Sequence, residues 1–264
     1  MKASDARVML TGASGGIGRA VADTLLAAGA SLLLVGRNSA RLQRLLGTLA
    51  ERHAGAAERL ALQRADLDRD NDLRQLAGAA AAWGCNVLVH GAGVPAFGRL
   101  HTLAPAQLRA SLGTNLLAPM LLTQGVLPHL QALPRAQVIC IGSALGRIGL
   151  PGFSVYSASK FGLRGFAEAL RRELADSGVR IQYLGPRSTH TDFNSPGVEA
   201  YNRATGTAMD RPERVAQALL RQLEDERPER FIGFPETLAV RLNGLAAPWL
   251  DGAFAKHRRS LPTT

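Results

Sequence analysis

The sequence lacks the features that mark membrane, secreted and zinc-binding proteins. Its 264 residues include two cysteines, Cys85 and Cys140, which lie beside or inside apolar runs and not at metal-ligand or disulfide-framework spacing. No apolar run reaches the ~18 residues of a membrane span, and the first residues lack a signal-peptide core. We therefore expect a soluble cytoplasmic protein with buried free thiols and no metal site.

Positive charge is abundant but dispersed. The formal net charge is +10, and arginines are scattered through nearly every segment without a basic run interleaved with aromatic residues. This pattern argues against a nucleic-acid partner, because such sites combine clustered cations with stacking side chains. Attraction of an anionic cofactor or of a phosphorylated carrier substrate is the better use of the charge.

The length and composition indicate a single globular domain spanning residues 1–264. The chain is 46% hydrophobic and 20% charged, which is ordinary globular composition. A chain of this length buries a large core.

A glycine-rich stretch directly follows the first apolar segment. Arg7–Leu10 is predicted to be a strand, and it runs into the sequence TGASGGIG and then an alanine-rich helical stretch. A strand, a glycine turn and a helix are the context of a dinucleotide-binding fingerprint. The helix N-terminus offers free N–H groups to phosphate. We expect Gly12 to permit the tight turn, Gly16 to let backbone approach a pyrophosphate, and Gly18 to let helix and strand pack closely.

The residue after the second predicted strand indicates the choice of cofactor. Ser31–Val35 is followed by Arg37, where an enzyme selecting NAD usually carries an acidic residue for the ribose hydroxyl. A guanidinium can pair with a 2′-phosphate, and Ser14 can add a hydroxyl donor. The sequence therefore predicts NADP(H) in preference to NAD(H), with stacking of Arg37 on adenine as the alternative.

Tyr156 and Lys160 are set four residues apart, which places both side chains on one face of a helix. The chain has only three tyrosines and three lysines, so the pair stands out. A nearby ammonium favours the phenolate and is expected to lower the pKa of Tyr156 from its usual ~10. Tyr156 is then a candidate general acid/base. The alternative is a surface tyrosine and a solvated lysine.

Two further polar residues lie in apolar surroundings. Ala136–Ile141 is a continuous apolar run typical of a buried parallel strand, and Ser143 follows at the edge where open sheets bind ligands. Asn115 lies within the long helical region 105–130, where an unpartnered amide would cost ~1–3 kcal/mol. A bond to local backbone is one way to satisfy it.

The glycine stretch, Asn115, Ser143 and the YSASK motif, in this order, resemble the short-chain dehydrogenase/reductase family in its single-domain form. The resemblance runs from about residue 6 to residue 234. It implies an α/β fold, a Rossmann-type doubly wound parallel sheet of about seven strands with helices on both faces. It also implies hydride transfer, with Ser143, Tyr156 and Lys160 catalytic and Asn115 holding a water that relays protons to Lys160.

The same resemblance implies a cofactor site. Asp66 corresponds to an acidic residue that contacts adenine, although a helix cap is the alternative, and residues 185–191 resemble a segment that covers the nicotinamide. Thr189 by its backbone and Thr191 by its hydroxyl are candidates for holding the carboxamide. The expected cofactor-binding residues are Gly12, Ser14, Gly16, Ile17, Gly18, Arg37, Asp66, Ala92, Gly93, Tyr156, Lys160, Pro186, Thr189 and Thr191.

Three positions depart from the family pattern. His90 and Gly91 replace the usual pair of asparagines, and Arg187 replaces a glycine. We interpret His90 as a satisfied interior histidine and not as a catalytic base. Arg187 leaves the local backbone conformation open, since arginine tolerates positive φ poorly.

The last third of the chain is expected to cover the pocket. Residues 190–210 suit a flexible substrate lid, Asp210 is predicted to cap a helix, and Phe231–Phe234 is the last predicted strand. Residues 235–264 form a predicted helical extension. Its apolar stripe favours packing on the core or a subunit over a membrane surface, and it comprises Leu238, Leu242, Leu245 and Trp249.

The function expected from these features is NADP(H)-dependent interconversion of a carbonyl compound and an alcohol. The alternatives are a non-catalytic NADP(H)-binding sensor or scaffold, and a reductase of acyl chains on a carrier protein. The resemblance implies a homodimer or homotetramer formed through the helices that carry Asn115 and Tyr156. A lipophilic substrate is favoured by four apolar residues, Phe97, Ile148, Phe153 and Phe193.

Overall fold

A computed structural model of the protein describes residues 1–233, 243 and 247–262. Seven parallel strands form one sheet in the order β3-β2-β1-β4-β5-β6-β7. The strands are β1 Arg7–Thr11, β2 Ser31–Gly36, β3 Leu60–Arg64, β4 Val87–His90, β5 Ala136–Ile141, β6 Val179–Gly185 and β7 Glu229–Phe231. This arrangement confirms the predicted Rossmann-type sheet.

Helices cover both faces of the sheet. They are α1 Gly16–Ala27, α2 Ser39–Arg52, α3 Asp70–Trp83, α4 Pro105–Leu112, α5 Ala118–Gln131, α6 Ser154–Glu173, α7 Pro196–Thr205, α8 Pro212–Asp225 and α9 Ala255–Arg259. Successive strand residues point to opposite faces. Leu10, Leu32 and Val89 therefore pack with α1, α2 and α8, whereas Met9 and Leu33 pack with α3, α5 and α6.

The strand order places the site. The chain reverses direction across the sheet between β1 and β4, and ligands bind in the crevice outside the carboxyl ends of the strands at such a switch point. Gly12, Gly91 and Ser143 all follow the carboxyl ends of strands near the centre of the sheet.

Three structural features differ from the sequence prediction. The region 105–130 is not one continuous α-helix, because residues Gly113–Leu117 form a π-helical turn between α4 and α5. The last strand is Glu229–Phe231, earlier than predicted, and Phe234 lies outside the described residues. The predicted lid contains a helix, α7, whose Val198 and Tyr201 are buried.

The prediction that Asp210 caps α8 is wrong. The helix begins at Pro212 with Arg211 in the N-cap position and no side-chain cap. The carboxylate of Asp210 is buried and accepts from Arg187 at 2.8 Å and from Arg214 at 2.7 Å. The electrostatic gain from two guanidinium groups outweighs one backbone bond at a helix end.

The C-terminal prediction is only partly covered by the structure. Ala247–Phe254 is 3₁₀-helical and continues into α9. The predicted apolar stripe stays a prediction, because Leu238, Leu242 and Leu245 lie outside the described residues. Within the described part of the chain, no helix combines the length and apolar character needed to cross a bilayer.

Both cysteines are buried and free, as predicted. Burial raises the pKa of Cys85 to about 11 and that of Cys140 to about 12, so both remain thiols at neutral pH.

Candidate active site

A cavity of about 790 Å³ opens along the carboxyl edge of the sheet. It runs from the end of β2, past the glycine-rich turn, to the N-terminal part of α6 and the segment that follows β6. Every residue predicted to be catalytic or to bind the cofactor lines this cavity except Asn115, which lies behind it. Within the described residues, no group of His, Cys, Asp and Glu side chains is arranged to hold a metal.

The glycine-rich turn has no room for side chains. Gly12 has a φ of +69°, and a Cβ there would lie 2.6 Å from the Cα of Ala92. A Cβ on Gly18 would lie 2.2 Å from the carbonyl oxygen of Gly12, as close packing of helix and strand requires. At Gly16 the added atom would lie 2.4 Å from Cγ2 of Thr191. This glycine therefore lets the segment after β6 touch the turn, a contact that the sequence did not predict.

The loop after β4 explains the departure at Gly91. The hydroxyl of Thr11 accepts from the N–H groups of Gly91 at 3.1 Å and Ala92 at 3.3 Å. A Cβ on Gly91 would lie 2.7 Å from the carbonyl oxygen of Thr11. The backbone of the loop therefore lies too close to β1 for a larger residue at this position.

His90 is an interior histidine, as interpreted from the sequence. It is buried, and its Nε2 lies 2.8 Å from the hydroxyl of Thr123. Burial lowers the pKa of His90 to about 3, and the ammonium of Lys160 acts in the same direction. The ring is therefore neutral and does not face the cavity.

Asn115 joins three parts of the site from within the π-helical turn. Its Oδ1 accepts from the N–H of Val94 at 2.8 Å, and its Nδ2 donates to the carbonyl of Val94 at 3.0 Å. The same amide donates to the hydroxyls of Ser159 at 3.2 Å and Ser111 at 3.3 Å. The alternative that it bonds only to local backbone is wrong. Its side chain fixes the β4 loop against α6.

Tyr156 and Lys160 lie on the cavity side of α6, as their spacing predicts. The Nζ of Lys160 lies 5.7 Å from the centroid of the Tyr156 ring and donates to the carbonyl of Ile141 at 3.2 Å. Lys160 is only 4% exposed, and burial lowers its pKa to about 8.

The pKa prediction for Tyr156 is wrong. Burial raises the pKa of Tyr156 to about 12, and a hydrogen bond with the Ser143 side chain acts in the opposite direction without reversing the shift. Loss of phenolate solvation on burial is the largest cause of this shift, and it exceeds the lowering that the sequence assigned to the ammonium of Lys160. The phenol is therefore protonated at neutral pH.

Ser143 follows β5 and is held by its neighbours. Its Oγ accepts from the N–H of Leu145 at 3.1 Å. The hydroxyl of Tyr183 on β6 donates to its carbonyl at 2.9 Å and accepts from its N–H at 3.0 Å. Sequence reasoning missed Tyr183; the available signal was the pair Gly142 and Gly146 on either side of Ser143.

The end of the cavity beside β2 carries exposed cations. Arg37 and Arg41 both line it, together with Ser14 and Asp66. Arg41 is placed by the start of α2, where its N–H donates to the side chain of Asn38 at 2.9 Å. Sequence reasoning missed Arg41, although it lies only four residues after Arg37. The alternative that Asp66 caps α3 is wrong, since that helix begins at Asp70.

The segment after β6 has an ordinary backbone despite Arg187. Glu226 is the only non-glycine residue with positive φ within the described ranges, so Arg187 does not adopt the left-handed conformation. Its guanidinium pairs with Asp210, while Pro186 accepts from the N–H of Ala144 at 2.8 Å. These contacts hold Thr189 and Thr191 along the cavity.

Aromatic side chains form the outer part of the cavity beyond Tyr156. Phe193 lies 5.9 Å from the Tyr156 ring, and Phe153 lies 5.5 Å from Tyr201. Of the four residues predicted to make a lipophilic pocket, Phe153 and Phe193 line the cavity. Phe97 packs behind Phe153 at 4.8 Å, and Ile148 belongs to a small separate cluster.

The C-terminal helix α9 contacts α7 beside the outer part of the cavity. Nδ1 of His257 lies 2.7 Å from the hydroxyl of Tyr201, and the ammonium of Lys256 donates to the carbonyl of Thr205 at 3.0 Å. The C-terminal segment therefore contacts α7 directly.

The sequence matches a protein-family model described as short chain dehydrogenase over residues 6–202. Among curated proteins, dehydrogenase/reductase SDR family member 7B of Bos taurus is 32% identical over 92% of this chain and 78% of its own length. The protein of the same name from Xenopus tropicalis is 30% identical over 92% of this chain and 82% of its own length.

Solved structures share the fold. A short chain dehydrogenase/reductase from Burkholderia phymatum in complex with NAD superimposes with a TM-score of 0.82 at 22% identity, covering 94% of this chain and 96% of that one. A metagenomic short-chain oxidoreductase in complex with NADP has a TM-score of 0.71 at 30% identity, covering 86% and 96%. The Burkholderia protein establishes similarity of fold alone, and the metagenomic enzyme adds sequence similarity.

Proposed function

Because the chain belongs to the short-chain dehydrogenase/reductase family, we propose that it is an NADP(H)-dependent oxidoreductase that interconverts a carbonyl compound and an alcohol. One observation carries the proposal. Ser143, Tyr156 and Lys160 meet in the same cavity that a glycine-rich turn and Arg37 line further along. Such a cavity suits a dinucleotide lying across the strand ends, with its reactive ring beside the tyrosine.

The residues present fit a dinucleotide. The turn has no space for Cβ atoms at Gly12 and Gly18, and the N-terminus of α1 follows it with free N–H groups for a pyrophosphate. When bound, the nicotinamide supplies or accepts the hydride. The residues proposed to hold the cofactor are Gly12, Ser14, Gly16, Ile17, Gly18, Arg37, Asp66, Ala92, Gly93, Tyr156, Lys160, Pro186, Thr189 and Thr191.

The preference for NADP(H) is supported by the charges near the end of β2. Arg37 and Arg41 are exposed cations at the cavity wall, and Ser14 is a hydroxyl donor beside them. A guanidinium group can pair with the 2′-phosphate of NADP(H) through two parallel hydrogen bonds. NAD(H) lacks this phosphate, so the two arginines would contribute little to its binding. The NADP complex of the relative that is 30% identical agrees with this choice.

The proposed proton donor is Tyr156. With a pKa of about 12 it is a neutral phenol, which can donate its proton to the carbonyl oxygen as hydride reaches the carbonyl carbon. Ser143 contributes a second hydroxyl to the same oxygen. Lys160 is an ammonium below about pH 8 and stabilises the phenolate that the transfer leaves behind. Asn115 supports the relay by fixing the β4 loop and α6, and a water held there would pass protons to Lys160.

The substrate is proposed to be a neutral, lipophilic carbonyl compound. The outer cavity is lined by Phe153, Phe193, Leu145 and Leu150. Arg187 also lines the cavity, but its guanidinium forms an ion pair with the buried carboxylate of Asp210. An aromatic wall favours acetophenone over para-acetylbenzoate, because the added carboxylate would lose its solvation there.

Replacement of Tyr156 tests the proposed chemistry. Tyr156→Phe keeps the ring but removes the proton donor, and turnover of NADPH with acetophenone is expected to fall by about 100-fold or more. Affinity for NADPH, followed by quenching of protein fluorescence, is expected to remain nearly unchanged because the ring still packs beside the cofactor. The measurement is steady-state loss of NADPH absorbance with a panel of neutral ketones and aldehydes.

The outcome separates the alternatives. Retained turnover in Tyr156→Phe contradicts the assignment of the proton donor. NADPH binding without turnover of any carbonyl compound by the wild type would favour the sensor or scaffold. Turnover that requires a carrier-bound acyl chain and is lost in high salt would favour the carrier-protein reductase.

A further inference from the structure

A second tyrosine lies directly behind the catalytic serine. Tyr183 on β6 is 2% exposed and does not line the cavity. Its hydroxyl donates to the carbonyl of Ser143 at 2.9 Å and accepts from the N–H of the same residue at 3.0 Å. One phenol therefore bonds both backbone polar groups of a single residue. This is a constraint on backbone orientation and not only on position.

Two glycines make room for the Tyr183 ring. A Cβ on Gly142 would lie 2.0 Å from Cζ of Tyr183, and a Cβ on Gly146 would lie 2.1 Å from its hydroxyl oxygen. Neither glycine has a positive φ, so neither is required by backbone conformation. The ring fills space that exists only because both residues lack a side chain.

These contacts determine where the Ser143 hydroxyl points. Ser143 is held in an extended conformation with φ −164° and ψ 159°. Its carbonyl also accepts from the N–H of Gly146 at 3.0 Å, and its Oγ accepts from the N–H of Leu145 at 3.1 Å. With both backbone groups and the side-chain oxygen held, the hydroxyl proton remains available toward the cavity and Tyr156.

We infer that Tyr183 is a positioning residue, which holds Ser143 so that its hydroxyl and that of Tyr156 meet the same carbonyl oxygen of the substrate. The inference rests on the proposed function for the role of Ser143. Burial raises the pKa of Tyr183 far above its ordinary value, so its hydroxyl stays protonated and keeps its donor role throughout the working pH range.

A double-mutant cycle tests whether Tyr183 acts through Ser143. Tyr183→Phe keeps the ring in its pocket and removes the hydroxyl, and kcat with acetophenone and NADPH is expected to fall by about 10- to 100-fold. The KM for NADPH is expected to change little. In a Ser143→Ala background the same replacement is expected to have no further effect on kcat. Fully additive losses, or an unchanged kcat in Tyr183→Phe, would overturn the inference.

A second variant tests whether Tyr183 positions Ser143 or only fills space in the core. Gly142→Ala leaves the phenol intact but places a methyl group against its ring and hydroxyl, and the three nearest atoms that the methyl group would meet all belong to Tyr183. It is expected to reproduce the loss of kcat and to be equally silent in the Ser143→Ala background. A loss that appears only as lowered thermal stability, with kcat retained at low temperature, would assign Tyr183 a structural role instead.

A crystallographic comparison is independent of turnover. In Tyr183→Phe with NADPH, we expect Ser143 to rotate about its backbone or to occupy two conformations, while Tyr156 and Lys160 stay in place. An unchanged Ser143 overturns the inference. If the wild type turns over none of the carbonyl panel, the proposed function fails, and this comparison still decides whether Tyr183 orients Ser143.

Discussion

Burial moves the two titrating members of the site toward their neutral forms. The pKa of Tyr156 is raised to about 12 and that of Lys160 is lowered to about 8. Tyr156 therefore begins the reaction as an acid, and Lys160 titrates closest to neutral pH. A desolvated ammonium disfavours the folded state, which makes Lys160 a residue kept for chemistry and not for stability.

The cost of burying the Lys160 ammonium should make the free energy of unfolding depend on pH. The folded pKa of Lys160 lies below its ordinary value of 10.5, so between about pH 8 and 10.5 the unfolded chain holds the proton that the folded chain has released. Stability from this residue therefore rises with pH through that window, by up to about 3 kcal/mol. We expect Lys160→Met to be more stable than the wild type at pH 7 and to lose this advantage toward pH 10.

Urea unfolding at several pH values measures the effect. Lys2→Met, which removes an exposed lysine, is the matched control for loss of one positive charge. A difference between Lys160→Met and the wild type that does not shrink as pH rises would contradict the prediction.

The proposed preference for NADP(H) can be tested at a single residue. Arg37→Ala should remove the proposed charge-assisted bond to the 2′-phosphate, worth about 1.5–3 kcal/mol, so affinity for NADPH should fall by about 10- to 100-fold. Affinity for NADH should hardly change, because NADH lacks the 2′-phosphate. Fluorescence titration with each cofactor measures both. Arg221→Ala, an exposed arginine on α8 away from the cavity, is the control, and an equal loss for both cofactors would indicate adenine stacking by Arg37 instead.

At the scale of elements, the segment after β6 is held to the start of α8 by one carboxylate. The side chain of Asp210 is 3% exposed and pairs with Arg187 and Arg214, and the N–H of His190 donates to the backbone carbonyl of Asp210 at 2.9 Å. The turn that would cover the nicotinamide is therefore fixed by an ion-pair network. In this chain an arginine at position 187 replaces the family glycine and supplies one side of that network.

Asp210→Asn is expected to destabilise the protein by about 3–5 kcal/mol, because it removes the buried negative charge that pairs with the guanidinium groups of Arg187 and Arg214. The KM for NADPH should rise as the turn loosens. Asp225→Asn breaks pairs in which the carboxylate is 38% exposed, and it should cost at most about 1 kcal/mol. Urea denaturation of the two variants measures the contrast, and equal losses would remove the special role of Asp210.

At the scale of the whole molecule, apolar side chains remain exposed around the helices that carry Asn115 and Tyr156. They are Leu112, Leu117, Met120 and Phe161, each between 38% and 53% exposed. A hydrophobic surface of this kind favours association. We therefore propose that the protein is a homo-oligomer through α5 and α6.

Charges on this surface should disrupt the assembly. Met120→Glu combined with Phe161→Glu is expected to give a smaller species in light scattering after size-exclusion chromatography, since the carboxylates would be desolvated at the contact. Leu100→Glu alters another exposed leucine, outside these helices, and should leave the mass unchanged. A wild type that is already monomeric would refute the proposal.

The sequence by itself determined the fold class, the order of the motifs and the face of α6 that carries Tyr156 and Lys160. The fold class and motif order follow from hydrophobic periodicity and from glycines that a tight turn or a close backbone approach requires. The shared face of Tyr156 and Lys160 follows from their four-residue spacing on a helix. It also identified His90 correctly, since a lone histidine at the end of an apolar strand is typically an interior residue.

Only the tertiary structure decided the direction of the Tyr156 pKa shift, the partners of Asn115 and Asp210, and the contacts of Tyr183 with Ser143. Each depends on distances between residues far apart in the chain. Tyr183 lies 40 residues from Ser143, and Asp210 lies 23 residues from Arg187. Desolvation likewise depends on what surrounds a group in three dimensions, so a local motif can place an acid beside a cation without establishing which effect on its pKa is larger.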